Sequence, residues 1–167
     1  MICGAKLSQI GIFKPMKRLI FIMFLLLPCV LKAQPQPVPV RFLQDYYYLG
    51  AAPLNEGVNA FVVTSRKDFK KLFGITQRPD TPDFSKEWMI VLLMPKTKWD
   101  AKIDIKDVSM KAGSFIEVYT KVFEGRHKLT YDNYPIRVAV IPRYKGINRV
   151  NFYDGKRLKP LANVVIE

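Results

Sequence analysis

Chemistry on this chain would have to start from His127, its one histidine, and from carboxylates scattered among lysines. His127 stands between Arg126 and Lys128, two cations that repel a metal ion, and no second histidine or nearby cysteine completes a zinc or copper set. Ser65, Ser85, Ser109 and Ser114 are hydroxyls that a base could activate. None lies in a Gly-x-Ser-x-Gly turn, and His127 has no acid beside it in the sequence. Asp104 and Glu117, on neighbouring predicted strands, would suit glycoside chemistry if they faced each other across a cleft. Asp104 lies between Lys102 and Lys106, however, and such alternation marks a hydrated sheet face. Asp100, Asp104 and Asp107 lack the loop glycine and closing glutamate of a calcium loop, and no glycine-rich phosphate cradle is present. The reading is therefore no catalytic residue, no metal ligand and no cofactor.

Aromatic residues are the stronger signal. Tyr46, Tyr47 and Tyr48 are consecutive, so along a strand at least one ring turns away from the core. Trp99 falls in a lysine-rich predicted turn, and aromatic rings flanked by cations are what protein interfaces use. The candidate partner-contact residues are Trp99 and Tyr47, with Lys98 and Arg126 as their electrostatic neighbours.

These side chains must be carried by a domain that follows a leader. Met16-Lys17-Arg18, the apolar run from Leu19 to Leu27 and the small residue Ala33 read as an export signal cleaved near Ala33-Gln34. The run is too short for a comfortable membrane span, so no stable span is expected after cleavage. Translation starting at Met16 would explain the 15 residues before it. Cleavage would remove both Cys3 and Cys29, leaving the remainder without a thiol and placing it in the periplasm or at the cell surface. Five of the 27 Lys and Arg precede Gln34 and all 14 acids follow it, so the exported part carries a net charge of +8. Its cations are dispersed from Arg41 to Lys159 among acids rather than striped along one element, which argues against nucleic acid and for an acidic partner or envelope surface.

Residues 34–39 (Gln-Pro-Gln-Pro-Val-Pro) read as a stiff spacer, with one domain over 40–167. Within it, strands are predicted at Arg41–Leu49, Ala60–Thr64, Trp88–Met94, around Ile103 and Ile105, from Ile116 to Val122, at Ile136–Ile141, Asn148–Tyr153 and Asn163–Ile166. The unbroken apolar run at Trp88–Met94 should be a central strand covered on both faces. One helix is predicted, from Arg66 to Phe73: Ser65 is its N-cap, Phe69, Leu72 and Phe73 form its apolar stripe, and Gly74 ends it. Glu124 to His127 reads as a hairpin-like loop. The fold class is α+β and strand-dominated, a mostly antiparallel sheet with one short helix packed on it.

Three segments in this order resemble a known family: Phe61 to Phe73, Asp83-Phe84-Ser85-Lys86-Glu87-Trp88-Met89-Ile90-Val91, and Asn133-Tyr134-Pro135 to Pro142. Over about Ala60 to Phe152 the chain resembles the C-terminal domain of PrcB, an exported subunit of a bacterial protease complex. That family usually carries a glycine pair followed by tyrosine where this chain has Lys98-Trp99-Asp100-Ala101-Lys102. The resemblance implies a non-catalytic module that stabilises or docks onto a cell-envelope protein, a protease being one such partner. Two other readings are a carbohydrate-binding or carbohydrate-processing domain, using Tyr47 with Asp104 and Glu117, and a protease inhibitor presenting the loop Glu124 to Lys128.

Overall fold

A computed structural model describes residues 34–50, 53–111, 114–155 and 159–166. The expected leader lies outside them. Among the described residues eleven strands and one helix follow in the order β1 (Gln36–Pro37), β2 (Arg41–Leu43), β3 (Asn59–Val63), α1 (Arg66–Phe73), β4 (Glu87–Leu93), β5 (Thr97–Trp99), β6 (Lys102–Lys111), β7 (Phe115–Phe123), β8 (Lys128–Asn133), β9 (Ile136–Pro142), β10 (Arg149–Asp154) and β11 (Lys159–Val165). The class is strand-dominated α+β with mostly antiparallel pairing. Instead of one sheet, the strands form three: a five-stranded sheet β1-β6-β7-β10-β11, a four-stranded sheet β2-β9-β4-β3 and a small sheet β5-β8.

The two larger sheets share a core. Ile103, Ile105 and Val108 of β6, Ile116 and Val118 of β7, and Val150 and Phe152 of β10 pack with Trp88, Ile90 and Leu92 of β4 and Ala139 and Ile141 of β9. The opposite face of the four-stranded sheet, with Met89, Val91, Val138 and Val140, is covered by Phe69, Leu72 and Phe73 of α1 and by Tyr46 and Phe84. β4 is therefore buried on both faces, which explains why its sequence is a continuous apolar run rather than an alternation.

α1 has the predicted limits for the predicted reasons. The Ser65 hydroxyl accepts the Asp68 amide, and Gly74, at φ 68°, donates its amide to the Lys70 carbonyl. Two other expectations are corrected. The strand from Arg41 stops at Leu43, because Asp45 adopts φ 58°, outside any strand conformation, and turns the chain. Residues 34–39 are not a spacer. Gln36 and Pro37 pair with Met110 and Ser109 of β6, the Val38 amide donates to the Val108 carbonyl at 2.9 Å, and Val38 is buried in the shared core. Proline is tolerated there because β1 is an edge strand, where a missing amide costs no ladder bond on the open side. The described residues from Pro35 onward belong to one compact unit.

Candidate functional site

Three tyrosines in a row are distributed by the turn at Asp45. Tyr46 is buried against Phe69 and Phe73, its ring centroid 4.9 Å from that of Phe73. Its hydroxyl donates to Asp80 at 3.1 Å, and the Arg78 guanidinium lies over its ring while holding the Gln44 and Asp45 carbonyls. Burial, then the Asp80 carboxylate, push the Tyr46 phenol up to about 12. With Tyr46 fixed, Tyr47 is turned outward, 73% exposed, and Tyr48 is half-buried with its ring 6.1 Å from that of Tyr134.

Across from this loop runs β8, which brings Tyr131 and Tyr134 at its end to the same place. Tyr46, Tyr47, Tyr48, Tyr131 and Tyr134 line one cleft of about 600 Å³, together with Lys102, Ile103, Asp132, Asn133 and Arg137. A second hollow, of about 690 Å³, shares Lys102, Ile103 and Arg137 with the first and adds Asp100, Asp104, Phe123, Arg126 and His127. Phe42, Tyr47, Phe123, Tyr131 and Tyr134 are all exposed. Phe42 lies under the Arg137 guanidinium at 4.1 Å, and Phe123 has Lys106 and Lys121 over its ring. Exposed aromatics gathered around cations form a surface suited to contact with another molecule.

The four candidate contact residues fall in different places. Tyr47 lines the first hollow and Arg126 the second. Trp99 and Lys98 lie on β5, both exposed, so Trp99 is in a short strand rather than a turn. Thr97 and Trp99 pair with Asn133 and Lys128 of β8. Tyr131, Tyr134, Lys102 and Arg137 were not among the candidates. Their signal was the surplus of tyrosine between Lys128 and Pro135, and an arginine at an alternating position of β9 where the neighbouring positions are apolar.

Asp104 and Glu117 are not brought together. β6 pairs with β7 so that Asp104 is opposite Lys121 and, past a bulge between Ile105 and Asp107, Glu117 is opposite Ser109. Four residues of β7 separate those two positions, about 13 Å at strand rise. Asp104 instead accepts Lys106 at 2.6 Å, which with Arg137 holds its carboxyl below the usual carboxylate range. Glu117 accepts the Tyr119 hydroxyl at 3.0 Å and lies 3.6 Å from Lys111. The loop Glu124–His127 is not a hairpin either, since β7 and β8 belong to different sheets. The Asp100 carboxylate accepts the His127 backbone amide at 3.0 Å, and this donor is the main cause that lowers its pKa. Among the described residues no group of three or more His, Cys, Asp or Glu is placed to hold a metal ion, and no helix is long and apolar enough to cross a membrane. No family model matches the chain, and no curated protein or solved structure matches it.

Proposed function

We propose that the chain is an exported, non-catalytic interaction module that docks onto or stabilises a protein of the cell envelope, with the tyrosine-lined cleft as its contact surface. The observation that carries this reading is the convergence of five tyrosines from two separate segments on one open cleft beside Lys102 and Arg137. Tyrosine supplies large, rigid contact area at low entropic cost and keeps a hydroxyl for hydrogen bonding, which is why interfaces concentrate it. The resemblance to the PrcB domain supports a docking role of the same kind, a protease complex being one setting for it. A carbohydrate-processing role loses support because its carboxylates, Asp104 and Glu117, stand apart on the sheet.

The test is affinity capture from the host's envelope fraction with wild-type protein and with the Tyr47→Ala/Tyr131→Ala double variant. Both side chains are exposed, so the variant should keep its melting temperature. A partner retained by the wild type and at least tenfold depleted with the variant supports the reading. An equal yield from both moves the contact surface elsewhere, and no partner with either removes the docking role.

A further inference from the structure

Arg137 occupies a position that the fold reserves for apolar side chains. It pairs with Leu92, which belongs to the core between the two large sheets, and alternates with Ala139 and Ile141 of the same core. A guanidinium at such a position is costly unless its donors find acceptors. Here they do not. Its Nε is buried with no hydrogen-bond partner, and its Nη2 stands 3.8 Å from Asp104 Oδ1, within ion-pair range but beyond a hydrogen bond. The other Asp104 oxygen is already taken by Lys106 at 2.6 Å. Arg137 is nevertheless held in place over the Phe42 ring, and it lines both hollows and a third of about 210 Å³ beside Leu43 and Tyr46.

We propose that Arg137 is the anchor of the cleft, and that its ligand is an acidic, extended polypeptide segment whose Asp or Glu carboxylate is received by the guanidinium with Lys102 beside it. This rests on the docking role proposed above and names the chemistry of the partner. Three features favour it. Lys102 is exposed and makes no ion pair among the described residues, while the one carboxylate in the first hollow, Asp132, is occupied by Lys96 at 2.7 Å. The cleft therefore offers an anion one cation without an ion pair, Lys102, and a second, Arg137, engaged only by the 3.8 Å pair with Asp104, and a planar fork matches a carboxylate bidentately. The stacking on Phe42 fixes the fork before binding, which lowers the ordering cost. Finally, among the described residues β8 pairs with β5 alone, and its residues Tyr131 to Asn133 line the cleft. An unpaired strand edge suits a polypeptide, whose backbone can extend the ladder, better than a glycan.

The purified protein is titrated with a random Glu–Tyr copolymer, its Gln–Tyr counterpart and polygalacturonate, following the Arg137 Nε–H resonance, assigned by its absence from Arg137→Lys. The Glu–Tyr polymer should shift that resonance saturably and bind at least tenfold more tightly than the Gln–Tyr polymer. Arg137→Lys and the exposed Lys102→Gln should each weaken binding several-fold, and Lys102→Gln guards against a folding defect in the first. An unmoved resonance, equal affinity for the two polypeptides, or tighter binding of polygalacturonate overturns the proposal, the last in favour of an anionic glycan. If the envelope partner is lost by the tyrosine variant but kept by both cation variants, this inference fails and the docking role stands. If all variants keep it, this inference fails and the contact surface lies elsewhere on the protein.

Discussion

Asp100 joins the loop after β7 to β5 through two bonds, accepting the His127 amide with its carboxylate and donating its own amide to the His127 carbonyl at 3.1 Å. Replacing it with alanine removes the first bond, and hydrogen exchange at the His127 amide should accelerate about tenfold, corresponding to one lost hydrogen bond. Because the folded carboxyl titrates below its ordinary value, the clamp is intact above that ordinary value and is lost as pH falls through the depressed one. Tyr46 acts at the other end of the scale. Below pH ~10 its phenol is protonated in both folded and unfolded chains. Between there and about 12 the unfolded chain sheds the proton while the folded one keeps it, so stability should fall as pH rises through that window. Urea titrations at several alkaline pH values should show this slope, and Tyr46→Phe should flatten it. The sequence made it plain that the tyrosine triplet would send a ring outward, but which ring was decided by Asp45 adopting positive φ and by Arg78 and Asp80 closing over Tyr46, contacts more than thirty residues distant.

The helix was legible to the residue because all its determinants are local. Ser65→Ala removes the acceptor for the Asp68 amide and should cost about 1 kcal/mol, read from the urea midpoint. Other elements carried no such mark. β6 hides its bulge, since one extra residue at Lys106 reverses the alternation that Ile103 and Ile105 begin; what separates Asp104 from Glu117 is the register, which sets Asp104 opposite Lys121. β8 is polar on both faces for most of its length, so it has no period to recognise. The glycine of the loop between β7 and β8 is dictated by close approach: a Cβ on Gly125 would lie 2.7 Å from the Asp100 amide nitrogen and 2.7 Å from Trp99 Cβ. Gly125→Ala should therefore cost about 1–3 kcal/mol and displace the loop from β5, seen as a lowered melting temperature with altered Trp99 fluorescence.

For the molecule as a whole, composition and periodicity sufficed for the class and for the doubly covered β4, because burial leaves its record in each strand. They could not divide the strands between sheets, since partner choice is a long-range outcome that leaves no local pattern. The same holds for β1, where prolines conceal an edge strand. Val38→Ala, read from the urea midpoint, should cost about 1–3 kcal/mol, whereas a spacer residue would cost nothing measurable.

β7 and β10 lie side by side and parallel, Val150 beside Ile116 and Phe152 beside Val118. Between them the chain leaves for the small sheet as β8, enters the four-stranded sheet as β9, and only then returns. The β7–β10 pairing thus closes a long loop that contains a strand of the other large sheet, and the two sheets bury one shared core, so heating should give a single sigmoidal melt, and refolding should be slow for a chain of this length.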